Sequence, residues 1–148
     1  MNHLLSEAAR LRPNRILHTM LRVSDLPRAI KFYCEHLGMR LFRQEDYPEG
    51  AFTLAFLGYG DESAATVLEL TFNWSPQTYE RGTAFGHIAL EVDDLQHTCT
   101  QLVSQGVVLL RPPGVMTYFS PQRTCPENIA FIEDPDGYRI ELVEKAIH

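Results

Sequence analysis

The chain writes one phrase twice. Residues 17–26 read LHTMLRVSDL and residues 86–95 read GHIALEVDDL. Aligned from Ile16 and Phe85, His18/His87, Leu21/Leu90, Val23/Val92, Asp25/Asp94 and Leu26/Leu95 are identical, each pair 69 residues apart. The echo continues downstream. Ala55–Phe56 returns as Ala130–Phe131 at an offset of 75, and Glu69–Leu70 returns as Glu141–Leu142 at an offset of 72. The offset changes only between predicted elements, where a repeated unit tolerates insertion because loops carry few packing contacts. A duplication of this kind constrains the fold strongly: whatever the first copy builds, the second must build as well.

Each copy contains one helical pattern. Leu26, Ala29, Ile30, Tyr33 and Leu37 recur at helical spacing, with Asp25 as cap, Pro27 in the first turn and Gly38 as terminator. In the second copy Leu95, Cys99, Leu102 and Val103 form the stripe, opened by Asp94 and closed by Gly106. Short apolar strand candidates follow at Met39–Arg43 and Val107–Leu110, then at 53–60 and 128–137, then at 66–73 and 138–144. Glu-Asp-Pro-Asp-Gly at 133–137 is a strong hairpin signal. The predicted order is β-α-β-β-β, twice. The fold class is α+β: a first βαβββ module over 16–73, a linker over 74–84, a second module over 85–145, and an N-terminal extension over 1–15. A four-stranded sheet with one helix leaves its other face bare, and two curved sheets can close around a shared cavity within one chain or across a dimer. Residues 111–128, rich in proline, are expected to form a long loop over that cavity.

Side chains alternate along a strand. Leu17, Thr19, Leu21 and Val23 are expected to pack under the first helix, which turns His18, Met20 and Arg22 to the open face. Ile88, Leu90 and Val92 pack in the second copy and His87 turns inward. Val67, Glu69, Thr71 and Asn73 share one face of the last strand of the first copy, as Arg139, Glu141 and Val143 do in the second. Each copy thus contributes one His and one Glu to its open face. A carboxylate set between leucines is costly to bury without a partner. Two imidazoles and two carboxylates with no thiolate predict a borderline divalent ion, Ni²⁺, Zn²⁺, Co²⁺, Fe²⁺ or Mn²⁺. Four protein ligands on an octahedral ion leave positions for water or substrate, which makes a Lewis-acid site. His36 and His97 on the helices, and His3 and His148 near the termini, are read as non-ligands.

Composition narrows the function. Thirteen Lys and Arg against 19 Asp and Glu give a net charge of −6, which argues against a phosphate-binding surface. A hydrophobic share of 45% argues against disorder. No stretch approaches the roughly 20 apolar residues of a bilayer span, and the first fifteen residues lack the apolar core of a secretory signal. Cys34, Cys99 and Cys125 stand at unrelated spacings and are expected to be buried or half-buried free thiols in a reducing cytoplasm.

The phrases ILHTMLRVSDL, ATVLELTFNW, YERGTAFGHIALEVDD and FIEDPDGYRIELVE resemble those of bacterial glyoxalase I, or lactoylglutathione lyase, in the vicinal-oxygen-chelate superfamily. The resemblance covers roughly residues 16–145. It implies an eight-stranded cup formed across a homodimer and one divalent metal per site. His18, Glu69, His87 and Glu141 map onto the metal ligands, His18 and Glu69 from one subunit and His87 and Glu141 from the other. It implies isomerisation of the methylglyoxal–glutathione hemithioacetal to S-D-lactoylglutathione through an enediolate, with glutathione as co-substrate. Glu141 is then the catalytic base, and Glu69 serves the other face of the substrate. Arg22, Asn73 and Arg81 map onto glutathione-binding positions. Many relatives carry a Lys and a Gly-rich run before the DPDGY strand. Here that loop reads VMTYFSPQRTCPEN, and Arg123 is the cation available to replace the Lys. The chain also lacks the insertions of many zinc-type relatives, so the resemblance favours Ni²⁺, with Co²⁺ or Zn²⁺ as alternatives. The rival readings are another enzyme of the superfamily, a dioxygenase or thiol transferase, and a drug-sequestering module.

Overall fold

The computed structural model describes residues 11–146. Residues 1–10 of the expected N-terminal extension, with His3, lie outside the described residues, as does His148. The chain forms β1 (His18–Arg22), α1 (Leu26–Lys31) continued by a π-helical turn (Phe32–His36), β2 (Arg40–Tyr47), β3 (Phe52–Gly58), β4 (Val67–Asn73), β5 (Ile88–Val92), α2 (Leu95–Ser104), β6 (Val108–Val115), β7 (Asn128–Glu133) and β8 (Arg139–Glu144). The strands form two four-stranded sheets, ordered β1-β4-β3-β2 and β5-β8-β7-β6. The order is βαβββ twice, as the echo predicts.

The register reproduces the repeat residue by residue. Ala55 pairs with Leu70 and Ala130 with Leu142; Phe56 pairs with Glu69 and Phe131 with Glu141. β1 and β5 run parallel to β4 and β8, with Leu21 beside Leu70 and Leu90 beside Leu142. Both outer hairpins slip register at the same place, between Leu41 and Arg43 and between Leu109 and Arg111. The caps match too. Asp25 accepts from the Arg28 N–H and Asp94 from the His97 N–H, each at 3.0 Å. Gly38 and Gly106 end the helices at φ of 73° and 87°, a conformation that penalises a Cβ.

One apolar core runs through both modules, including Leu21, Val23, Ala29, Tyr33, Leu57 and Leu70 from the first and Leu95, Cys99, Leu102, Ile132, Ile140 and Leu142 from the second. Burying a side chain of the Leu or Ile kind contributes about 1.5–3 kcal/mol. Polar contacts fasten the modules as well. The buried Tyr33 hydroxyl donates to Asp134 Oδ2 at 2.6 Å. Asp134 Oδ1 accepts from the Asp136 and Tyr138 N–H groups at 2.9 and 2.8 Å, so the Asp-Pro-Asp-Gly turn is built around this carboxylate. Ser24 donates its hydroxyl to Asp136 Oδ1 at 2.6 Å, and the Tyr138 hydroxyl donates to the Arg22 carbonyl at 2.8 Å. Burial pushes the Asp134 carboxyl above its ordinary range, with the hydrogen bonds opposing. Burial and the Asp134 charge raise the Tyr33 phenol.

Several expectations need correction. Leu17 is 58% exposed and Thr19 is exposed, so only Leu21 and Val23 pack under the helix. α1 proper has six residues and starts beyond the end of β1, too short to cover the strand's beginning. The π turn was not foreseen; its wider winding lets the neighbours Phe32 and Tyr33 both enter the core, in edge contact at 5.0 Å. Val103 is 50% exposed, since a residue one step past Leu102 lies about 100° round the helix. β2 runs on through the polar Gln44–Tyr47, because an edge strand wet on both sides needs no apolar pattern. β6 extends to Val115 and takes in Pro112 and Pro113, expected as loop. They fall in the register slip between Arg111 and Gly114 on an edge strand, where no ladder donor is required. Residues 116–127 remain irregular, closed by the Met116 N–H on the Glu127 carbonyl at 3.0 Å. Cys125 is exposed, against expectation; Cys34 is half-buried and Cys99 buried.

Candidate metal centre

Strand pairing carries each predicted donor to its place. His18 opens β1, and His87 stands one residue before β5. His18 Nε2 lies 2.5 Å from Glu69 Oε2, and His87 Nε2 lies 3.5 Å from Glu141 Oε1. Glu69 is only 8% exposed, while the imidazoles reach outward. Each histidine leans edge-on against a phenylalanine of the third strand of its module: His18 on Phe56 at 5.7 Å and 76°, His87 on Phe131 at 5.1 Å and 83°. That phenylalanine is the cross-strand partner of the glutamate. Each half-site is therefore a His–Phe–Glu unit in which the apolar ring limits rotation of the imidazole.

The remaining candidates separate. Arg22 is exposed on β1, two residues along from Met20, the neighbour of Glu69. Asn73 ends β4 and donates its amide to the Tyr79 hydroxyl at 3.0 Å, so part of its hydrogen-bonding capacity is spent inside the protein. Arg81 donates Nη1 to the Asp136 carbonyl at 2.8 Å and lies flat against Gly137, where a Cβ would come within 2.7 Å of that nitrogen. Arg81 also lines a cavity of about 560 Å³ with His87, Phe131, Glu133 and Arg139.

Among the described residues, no three His, Cys, Asp or Glu side chains group within one chain. Each module offers two converging donors, one imidazole nitrogen and one carboxylate oxygen. That chemistry fits a borderline divalent ion, but two donors leave the coordination shell incomplete. Residue-level reading missed Phe56 and Phe131 as site residues, although the repeated Ala-Phe step was visible. It also missed Arg43, whose guanidinium covers the back of Phe56 at 3.6 Å and is held by Glu62 at 2.9 Å.

The Glyoxalase/Bleomycin resistance protein/Dioxygenase superfamily model matches residues 15–142. A lactoylglutathione lyase of Neisseria meningitidis is 52% identical over 131 residues, 88% of this chain and 91% of that protein. The lactoylglutathione lyase of Escherichia coli O157:H7 is 49% identical over 88% of this chain and 93% of that one. Among solved structures, a glyoxalase I mutant from Zea mays superposes with a TM-score of 0.82 at 37% identity, over 99% of this chain and 50% of the maize chain. The trypanothione-dependent Leishmania major glyoxalase I superposes with a TM-score of 0.74 at 43% identity, over 89% and 87% of the two chains. With its repeated βαβββ register and its matched span, this chain belongs to the Glyoxalase/Bleomycin resistance protein/Dioxygenase superfamily.

Proposed function

We propose that the protein isomerises the hemithioacetal of methylglyoxal and glutathione to S-D-lactoylglutathione. The observation that carries this is the pair of His–Glu half-sites in identical register, in a chain about half of whose residues match bacterial lactoylglutathione lyases. His18, Glu69, His87 and Glu141 hold one divalent ion per site, Ni²⁺ in preference to Co²⁺ or Zn²⁺. Since one chain presents two donors per module, the four meet across a homodimer, with His18 and Glu69 from one subunit and His87 and Glu141 from the other. The alignment of this chain with half of a maize chain supports that assembly, because two copies equal its length. The working units are the modules over 16–73 and 85–145 joined by the linker over 74–84. The protein acts in the cytoplasm; among the described residues no helix is long and apolar enough to cross a membrane.

An ion held by His18, Glu69, His87 and Glu141 would supply Lewis-acid stabilisation of the negative charge that develops on the substrate oxygens. Glu141 removes the proton from the carbon that bears the sulfur and the hydroxyl and returns it to the adjacent carbonyl carbon, while the hydroxyl proton passes to the former carbonyl oxygen, so that the sulfur-bearing carbon becomes a thioester carbonyl and its neighbour a secondary alcohol. Glu69 serves the opposite face of the substrate. Arg22 and Asn73, with Arg81 from the linker, hold polar groups of the peptide; a guanidinium can grip a carboxylate through two parallel hydrogen bonds. The rival chemistry in this superfamily, with three protein ligands, leaves the buried Glu69 beside His18 without a role.

The test is made on metal-stripped protein given methylglyoxal and glutathione, with Ni²⁺, Co²⁺ or Zn²⁺ added singly and thioester absorbance followed. Activity with Ni²⁺ and Co²⁺ but not Zn²⁺ is expected. Activity with Zn²⁺ alone would overturn the metal assignment, and no thioester with any ion would overturn the function.

A further inference from the structure

A second cavity, of about 330 Å³, is lined by none of the four donors. Both modules form it. Arg28, Lys31 and Phe32 of the first helical segment share it with the Gly106–Val108 entry to β6 and with the Glu133–Pro135 end of β7. His36 Nδ1 and Gln105 Oε1, 2.8 Å apart, join the ends of the two helical segments in its wall.

The free charge in this cavity is positive. Arg28 and Lys31 stand at i and i+3 on α1, so both side chains leave the helix on one face. Both are exposed, and among the described residues neither has a carboxylate within salt-bridge distance. Two acids line the cavity, and neither serves them. Asp134 is buried, and its oxygens already take the Tyr33 hydroxyl and two N–H groups. Glu133 shares a strand face with Phe131, the ring against His87, so its side chain leaves β7 on the half-site side. Nor do the cations serve a helix end, where a positive charge offsets the carbonyls. The winding continues beyond Lys31 through the five residues Phe32–His36. Like charges at this spacing repel. Held around a cavity that Phe32, Val107 and Pro135 line with apolar surface, they are arranged for a partner of opposite charge. The net charge of −6 is against a broad phosphate-binding surface but not against one local pair.

We propose that this cavity binds a compact dianion, a small phosphate ester or dicarboxylate, on Arg28 and Lys31. The guanidinium takes two oxygens at once and the ammonium acts as a point charge, so the pair matches two negative charges. The apolar lining receives a short carbon body. Such a ligand touches both modules, and it sits against the end of β7, which continues through the Asp134–Gly137 turn into β8. Its binding therefore fastens the modules and is read as stability. The site is separate from the glutathione reading and stands or falls without it.

The experiment is titration calorimetry and thermal unfolding on the full-length protein as purified, with its metal left in place. The probes are glycerol 3-phosphate and succinate, with acetate as the monoanion control. The variants are the double substitution Arg28→Gln with Lys31→Gln, and Lys31→Arg alone, at exposed positions where neither disturbs the core. Wild-type protein should bind one of the dianions with a Kd of about 0.1–1 mM, and acetate at least about tenfold more weakly. At ten times that Kd the unfolding temperature should rise by about 3–6 °C. The double variant should lose both the binding heat and the rise, while its unfolding temperature without anion stays at the wild-type value. Lys31→Arg should bind within about threefold of wild type, since the charge is kept. Tighter binding of glycerol 3-phosphate assigns the site to phosphate esters and tighter binding of succinate to dicarboxylates; either supports it. Wild-type protein that binds neither dianion overturns the proposal. So does a double variant that binds them as tightly as wild type, which would place the anion on the arginines of the other cavity.

Discussion

The two modules agree on one row and disagree on those beside it. In the shared row, His18, Phe56 and Glu69 stand in the same mutual register as His87, Phe131 and Glu141. On one side, Val67 and Gly58 of the first module become Arg139 and Glu133 in the second. On the other, Arg22 becomes Glu91. Under the proposed function a metal ion would place similar demands on each half-site, which accounts for a row that repeats. A peptide substrate has two chemically different ends, and the rows that would meet those ends have no reason to match. The molecule is symmetric in the His–Phe–Glu row and asymmetric in the rows beside it.

The strongest way to break this comparison is to remove equivalent donors in turn. Glu141→Gln should lower kcat by about 10²- to 10⁴-fold, the loss that accompanies removal of a general base. Glu69→Ala should also be severe. A mild Glu69 variant beside an inactive Glu141 variant would make the two glutamates unequal and return the three-ligand chemistries to contention. The histidines then test where the halves meet. His18→Ala and His87→Ala should each be inactive alone, and subunits mixed by unfolding and refolding should regain thioester formation, because one of the two sites of the mixed dimer has both intact halves. Mixtures that stay inactive would confine each site to a single chain.

A smaller effect is expected where the modules are fastened together. Tyr33 and Asp134 form a contact with no duplicate: the equivalent positions are Leu102 and Tyr59. Tyr33→Phe removes one donor from a buried carboxylate, and the cost should be about 1–3 kcal/mol in urea unfolding. The pH dependence carries a definite sign. Asp134 is raised in the folded protein, chiefly by burial, so folding favours its protonated form. Its contribution is therefore fully present below the unfolded carboxyl value near 3.8 and is lost as pH rises through the folded value. Measured against Asp134→Asn, wild-type stability should fall across that window and run parallel above it; a difference that does not change with pH would show that burial does not raise the Asp134 carboxyl.

The duplication made the architecture legible. Equal offsets for Ala-Phe and Glu-Leu already encode the cross-strand register, because strands that pair in one copy must pair in the other. The two His–Glu contacts were legible for the same reason, since alternation put each His on the face of its Glu. What escaped was set by local covering rather than by period. The six residues of α1 leave Leu17 bare, the π turn admits Phe32, and the slip in β6 accommodates two prolines that read as loop. Arg43 escaped because a cation beside strand residues looks like solvent-facing charge until the ring beneath it is known.

Arg43 and Arg111 offer the finest test of how far the duplication extends. They hold equivalent register positions, opposite Phe56 and Phe131 just past the slip in each outer hairpin. Arg43 lies over its phenylalanine with its nitrogens on Glu45 and Glu62. Arg111 turns to the backbone, with Nη1 on the Ile129 and Gly114 carbonyls at 2.8 and 3.0 Å and Nη2 on the Val115 carbonyl at 2.7 Å. Arg111→Met leaves partly buried carbonyls without donors and should cost about 1–3 kcal/mol. Arg43→Met removes only exposed ion pairs and one stacked cation, and should cost less than about 1 kcal/mol. The order reverses at the site. Arg43 backs the ring that steadies His18, so its loss should weaken nickel retention several-fold in a chelator competition, while Arg111→Met leaves retention unchanged. Equal effects on retention would mean that the ring needs no support from behind, and that the His–Phe–Glu row stands on strand pairing alone.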